Sequence, residues 1–281
     1  MIKPEISLEL FPPKSENGLF KLNSLLEAFK EVSPHYFSVT FGAGGSTQSG
    51  TINTVKKIFD FGYKAVPHIS CIGSSKKQLE NILKKYLIQG IKSLVVLRGD
   101  IPSGFGGTQG SFKHANELVE FARKLIGDEI NIIVAAYPEM HPQSNSRDED
   151  LHFFINKIKS GANSAITQYF YNTDAYFYFV DELEKKGINI PIIPGIMPIT
   201  NYSQLDRFSN ICGAEIPRWI KTKLVSYKDD YDSIRAFGLD FISSMCEKLL
   251  KGGAPGLHFY TLNNQDPSLL ICKMLKNLNK K

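Results

Sequence analysis

Short, nearly continuous apolar runs recur along the whole chain, each separated from the next by a longer amphipathic stretch rich in Lys and Glu. The runs fall at residues 6–11, 36–40, 65–70, 93–97, 131–136, 164–168, 190–194 and 257–261. Unbroken apolarity over five or six residues suits parallel strands covered on both faces, not strands with one wet face. The intervening stretches at 18–32, 48–61, 76–89, 112–126, 147–160 and 175–186 read as helices. Gly62, Gly90, Gly127, Gly161 and Gly187 follow five of them closely, as C-terminal stops do. Eight strands alternating with helices in 281 residues predict an α/β fold, a closed (β/α)8 TIM barrel. A doubly wound open sheet is the structural alternative. Residues 201–250 exceed what one crossover needs, which predicts an extra helix at 202–209 ahead of a main helix at 231–250, between the seventh and eighth strands. No internal repeat and no Pro-, Gly- or Ser-rich linker divides the chain, so residues 1–281 are expected to form one catalytic domain with no regulatory domain.

Composition narrows the function classes. Hydrophobic residues at 42% and charged residues at 22% are those of a globular chain rather than a disordered one. The net charge is 33 − 28 = +5, and the cations are dispersed rather than gathered into a stripe, which argues against a nucleic-acid partner. The basic tail at 276–281 reads as a solvated end. No apolar run approaches the ~18–20 residues of a membrane helix, and residues 1–9 lack a secretory pattern, so no membrane partner and a cytoplasmic location are expected. Cys71, Cys212, Cys246 and Cys272 are far apart and read as small buried hydrophobes. His35, His68, His114, His141, His152 and His258 show no metal-ligand spacing, and no metal is expected.

In a (β/α)8 barrel the active site lies where strands end and the following loops begin. Those ends carry Glu9, Thr40, His68, Arg98 with Asp100, Tyr137 with Glu139 and His141, Gln168, and Thr261 with Asn263. Polar groups are common at strand ends, but their recurrence around one barrel end makes a site. Glu9 stands out because it interrupts an apolar run that Pro12-Pro13 then terminates. Strand alternation leaves two destinations open for it, the barrel mouth or an outward lysine. In the first, lost hydration raises its pKa and suits it to donate a proton near neutral pH. The glycine-rich stretch from Gly42 to Thr47 follows a strand and opens a helix, where backbone N–H groups face an anion, yet it lacks a full G-x-G-x-x-G fingerprint. Gly104 to Gly110 forms a second glycine-rich loop without a P-loop ending. The aromatic runs at 169–171 and 176–179 read as packing, with stacking of a flat ring as the alternative.

Eight blocks then align with one family. Ser7-Leu8-Glu9-Leu10-Phe11-Pro12-Pro13-Lys14 resembles the opening motif of methylenetetrahydrofolate reductases. Phe37-Ser38-Val39-Thr40-Phe41-Gly42-Ala43, Pro67-His68-Ile69-Ser70-Cys71, Leu97-Arg98-Gly99-Asp100 and Ala135-Ala136-Tyr137-Pro138-Glu139-x-His141-Pro142 follow in family order. The last blocks are Gly161-Ala162-Asn163-x-Ala165-Ile166-Thr167-Gln168, Ile193-Pro194-Gly195-Ile196-Met197-Pro198 and His258-Phe259-Tyr260-Thr261-Leu262-Asn263. The resemblance, to the short bacterial catalytic form, implies a TIM-barrel flavoprotein carrying noncovalent FAD and acting in one-carbon metabolism. Such an oxidoreductase uses NADH or NADPH to reduce 5,10-methylenetetrahydrofolate to 5-methyltetrahydrofolate in a ping-pong cycle, supplying methyl groups for methionine synthesis. It also implies a homo-oligomer.

By position, the resemblance makes Glu9 the general acid that protonates N10, and Asp100 the carboxylate beside the flavin and the pterin. It implies FAD contacts at Thr40, His68, Arg98, Gly99, Asp100, His114, Ala115, Tyr137, His141, Asp150 and Lys157, where cations would serve the diphosphate. It implies substrate contacts at Glu9, Asp100, Gln168, Gln204, Phe208 and Asn264, with Phe208 stacking on folate or nicotinamide. Two positions depart from the family. His114 stands where many relatives have Tyr, and Asn264 where many have an Arg that holds the folate glutamate. Two other readings stay open: a flavin-free pterin or one-carbon transferase on the same barrel, and a protein that binds folate or flavin without turnover.

Overall fold

A computed structural model describes residues 5–41, 45–99 and 110–278. Eight parallel strands close into a barrel in sequence order, from β1 (Glu5–Leu10) and β2 (Tyr36–Val39) through β3 (Ala65–Ser70), β4 (Ser93–Leu97), β5 (Asn131–Ala136), β6 (Ser164–Tyr169) and β7 (Ile192–Ile196) to β8 (Gly256–Tyr260). β1 pairs with β8 from Glu5↔Gly256 to Glu9↔Tyr260, which completes the ring and leaves no open edge. The open-sheet alternative is thereby excluded.

The connecting helices are α1 (Glu16–Ala28), α2 (Gly45–Asp60), α3 (Lys76–Ile88), α4 (Ala115–Ile126), α5 (Arg147–Lys159) and α6 (Thr173–Lys185). Their starts follow from local chemistry. Ser75 accepts from the Gln78 N–H while the Gln78 side chain accepts from the Ser75 N–H, a reciprocal cap for α3. Ser146 and Ser15 cap α5 and α1 in the same position.

Between β7 and β8 lie three helices: α7 (Tyr202–Cys212), α8 (Arg218–Tyr227) and α9 (Tyr231–Lys251), with α10 (Asp266–Leu278) after β8. The expected extra helix at 202–209 is α7, but a second one, α8, accompanies it. Only Ile220 and Leu224 of α8 are buried, one turn apart, and its other residues are polar or exposed. So narrow an apolar stripe leaves little periodicity to read. Lys273 and Lys276 of α10 reach Glu31 on the far side of β1: the first meets the carboxylate at 2.6 Å and the second the backbone carbonyl at 2.6 Å. Lys276 is therefore tied down rather than free at a solvated end.

Two cores result. The larger lies between strands and helices and includes Leu8, Leu10, Phe37, Val39, Ile69, Val96 and Val134. The smaller fills the barrel axis with Val66, Val95, Ile133 and Ile166, bordered by Tyr36, Leu97, Ile193 and Tyr260. Because side chains alternate along a strand, the residues two positions further along than these four also face inward, toward the C-terminal mouth. Cys71, Cys246 and Cys272 are buried as expected, and Cys212 is half-buried. Among the described residues no helix is long and apolar enough to cross a membrane.

Candidate active site

Glu9 and Ser7 leave β1 on the same face, and their register partners on β8, Tyr260 and His258, do likewise. This decides between the two destinations for Glu9. Its carboxyl lies inside the mouth with Oε2 3.6 Å from His68 Nε2, and among the described residues no lysine is paired with it. The pair is not an ion pair. Burial raises Glu9 to about 8 and lowers His68 to about 3, so at neutral pH an un-ionised carboxyl faces a neutral imidazole. His68 Nε2 is buried and has no hydrogen-bond partner.

Below this pair, on the side formed by β8, β1 and β2, the barrel interior carries polar groups beside its apolar core. Ser7 Oγ lies 2.8 Å from His258 Nδ1, and Ser38 Oγ 3.5 Å from His258 Nε2. Burial and the neighbouring His68 hold His258 down to about 3, so it too is neutral. Tyr260 crosses the mouth to donate to the Thr167 carbonyl at 2.7 Å. It passes directly over Gly195, where an added Cβ would lie 2.6 Å from the ring and 2.2 Å from the Thr167 oxygen. The absent side chain at 195 is what lets the phenol reach across. Burial, reinforced by the Glu9 carboxylate when it ionises, keeps the Tyr260 hydroxyl un-ionised.

A second cluster surrounds the ends of β5 and β6. Lys157 of α5 donates to the Ala135 carbonyl at 2.5 Å, with its ammonium 5.3 Å from the Phe154 ring. Burial lowers Lys157 to about 8, and nearby Asp150 works in the opposite direction. Asp150 accepts from the His141 N–H and the Ser144 hydroxyl, both at 3.1 Å. His141 Nδ1 accepts from the Gln143 N–H at 3.1 Å, which puts the ring proton on Nε2, and the ring meets Tyr137 edge-on at 4.5 Å. Gln168 and Tyr137 line one small cavity together with Glu139, whose carboxyl burial raises to about 7.

The remaining expected positions ring the mouth more loosely. Thr40 follows β2 and donates its N–H to Leu10 at 3.0 Å. Arg98 follows β4, half-buried, with Nε 3.4 Å from the Gly99 carbonyl. Gly99 has a φ of +84°, and a Cβ there would lie 2.9 Å from that of Ser70, so both conformation and space select glycine. His114 caps α4 with its backbone alone, its side chain exposed, and Ala115 opens the helix. On α7, Gln204 is exposed and Phe208 is half-buried beneath the Arg207 guanidinium at 5.1 Å. Asn264 is exposed and accepts from the Asp266 N–H at 3.4 Å, a turn contact. Asp100 and the glycine-rich stretches 42–44 and 104–109 lie outside the described residues.

The comparisons with known proteins decide the family. The sequence profile described as methylenetetrahydrofolate reductase matches residues 2–276. The chain belongs to the methylenetetrahydrofolate reductase family. Among its relatives, the 5,10-methylenetetrahydrofolate reductase of Buchnera aphidicola subsp. Schizaphis graminum is 37% identical over 276 residues, covering 97% of this chain and 92% of the relative. The enzyme of the same name from Escherichia coli K12 is 34% identical over 271 residues, covering 96% and 90%. A solved structure from Clostridium thermocellum, an uncharacterized protein that binds two copies of 5-methyl-5,6,7,8-tetrahydrofolic acid, superposes with a TM-score of 0.71 at 16% identity, covering 98% of this chain and 96% of that one. At that identity the likeness bears on the barrel alone.

Within this methylenetetrahydrofolate reductase family member, sequence reading passed over Tyr260, His258, Ser7 and Ser38 as site residues. The eighth strand end read as Thr261 with Asn263, yet both serve the backbone. Thr261 Oγ1 donates to the Glu9 carbonyl at 2.6 Å, and the Asn263 amide exchanges two hydrogen bonds with Phe11 at 2.8 and 2.9 Å. The available signal was period: polar residues at 7, 9, 258 and 260 alternate with Leu8, Leu10, Leu257 and Phe259.

Proposed function

We propose that this chain reduces 5,10-methylenetetrahydrofolate to 5-methyltetrahydrofolate, taking electrons from NADH or NADPH through noncovalent FAD, with the two half-reactions sharing one barrel mouth in turn. The observation that carries the reading is Glu9: a carboxyl held un-ionised near neutral pH, inside the mouth, in a chain of this family.

The donor set fits the cofactor. Arg98 and Lys157 bring cations to the ends of β4 and β5, and an isoalloxazine-adenine diphosphate needs charge-assisted donors for its anionic bridge. A lysine held this far from water gains most from an anion, since Asp150 is already committed to His141 and Ser144. The buried, unpartnered His68 Nε2 supplies one further polar contact at the mouth. With FAD held there, its chemistry would be hydride transfer, which would turn the folate methylene into a methyl group.

Glu9 holds the proton that N10 needs before the five-membered ring opens. A group raised to about 8 is mostly protonated at pH 7 and gives up its proton without the cost that an ordinary carboxylic acid, already ionised, would present. The departing proton leaves a carboxylate 3.6 Å from His68, whose ring then gains a reason to protonate. Tyr260 and the neutral floor of His258, Ser7 and Ser38 keep water from the inner side of Glu9. Asp100 brings the negative charge that stabilises the 5-iminium cation left on the opened folate, and Gln168 and Phe208 orient the pterin and stack upon it.

The test is direct. The purified protein is yellow, acid precipitation releases FAD into the supernatant, and NADH or NADPH with methylenetetrahydrofolate yields 5-methyltetrahydrofolate. A colourless protein that neither binds added FAD nor turns over the folate would remove this reading, in favour of a flavin-free transferase if the folate is consumed, or of a binding protein if it is only retained.

A further inference from the structure

Glu139 has no part in the chemistry above, yet its carboxyl spans a junction. It sits two residues past Tyr137, in the connection from β5 to α5. Its Oε2 accepts the backbone N–H of Glu215 at 2.8 Å, a partner 76 residues further on, and its Oε1 is buried without a hydrogen-bond partner. Its own backbone is fixed, because Arg147 donates to the carbonyls of Pro138 at 2.5 Å and Glu139 at 3.1 Å. The Glu215 N–H belongs to the short connection from α7 to α8. Gly213 leaves that helix with a φ of +76°, and a Cβ there would lie 3.1 Å from Pro142, so the two connections also meet at this point. A second tie joins the same helix to β6, where the Tyr169 hydroxyl lies 3.0 Å from Ser209 Oγ. The helix so anchored carries Gln204 and Phe208.

We propose that Glu139 is a positioning residue: its carboxyl fastens the C-terminal end of α7 to the β5 connection and thereby fixes where Phe208 is presented to a flat ring at the mouth. The inference deepens the proposed function and rests on it for the identity of that ring. The Glu215 N–H lies three residues past the end of α7 and has no partner in that helix, so the Glu139 carboxyl is the acceptor that ties it down. A carboxyl and a carboxamide both provide one, whereas a methyl group does not. The role accordingly belongs to the hydrogen bond and not to the charge.

The experiment compares Glu139→Ala and Glu139→Gln with the FAD-loaded wild type by amide hydrogen exchange and steady-state kinetics. Loss of one hydrogen bond to the backbone is worth up to about a tenfold change in local opening. In Glu139→Ala the amides of residues 202–217 therefore exchange up to about tenfold faster, while those of α9 keep wild-type rates. The KM for methylenetetrahydrofolate rises roughly five- to tenfold with kcat within about twofold, and Glu139→Gln restores both readouts. Unchanged exchange at 202–217 in Glu139→Ala would overturn the proposal. So would a Gln variant as impaired as the Ala variant, a fall in kcat at constant KM, or loss of protection throughout α9. If the wild type fails to reduce methylenetetrahydrofolate, the proposed function falls, while the exchange comparison still judges the tie.

Discussion

A carboxyl group on an inward-facing strand position has exchanged most of its hydration for apolar and neutral polar walls, and the free energy of that exchange is readable as a titration. Glu9 takes up a proton on folding between its ordinary value of 4.5 and about 8. Its contribution therefore runs against stability as pH rises through that window and is constant above it. Replacing it with Gln removes the cost. Glu9→Gln should match the wild type near pH 4.5 and exceed it at pH 8 by on the order of 2–4 kcal/mol in the FAD-free protein, as denaturant unfolding would show. A variant no more stable at pH 8 would mean that Glu9 ionises normally in the fold. The same residue was legible in the sequence as an interruption of an apolar run, but its direction was not. Only closure of the ring, with Glu9 registered on Tyr260, sets the face on which its side chain lies.

At the scale of elements, the mouth is shaped by an irregularity between β6 and β7. The register shifts between Ile166 and Tyr169, and the ladder breaks beside Thr167. Thr167 recovers its bonds elsewhere: its hydroxyl accepts from the Gly195 N–H at 2.9 Å and its carbonyl from Tyr260. Gly195→Ala would force a methyl group into both the carbonyl and the phenol. Crowding of backbone by backbone has no rotamer to relieve it, so the expected cost is about 3 kcal/mol, or a fall in Tm of roughly 5 °C for a chain of this length. A thermal unfolding scan within 1–2 °C of wild type would show that Tyr260 can give up its bond cheaply. Strands β3, β4 and β5 were legible to the residue because their apolar runs stop sharply at both ends. β7 was placed two residues early, at 190–194, because the apolar run was ended at Pro194, which in fact lies within the strand. Helix α8 escaped notice because its buried face is two residues wide.

For the whole molecule, stability is pulled down at both ends of the pH scale by groups gathered in one barrel. His68 and His258 stay neutral in the fold although unfolded imidazoles protonate below 6.5, so their contribution is intact above that value and is lost as pH falls toward about 3. The closed barrel was legible from end to end, because eight apolar runs with helical spacers permit few other topologies. Of the candidate site, the sequence shows only the residues that sit at strand ends, such as Thr40, Arg98 and Gln168. The site's inner members depend on which side of each strand faces the axis, and α7 is brought to the β5 connection by contacts 76 residues apart in sequence. One mouth serving two half-reactions in turn is the central claim, and Glu9→Gln separates them. Hydride transfer from NADH or NADPH needs no proton from Glu9, whereas opening the folate ring does. Anaerobic stopped-flow with the FAD-loaded variant should show flavin reduction within a few-fold of wild type, and reoxidation by methylenetetrahydrofolate slowed by at least about 10²-fold. Equal slowing of both phases, or undiminished reoxidation, would contradict the account.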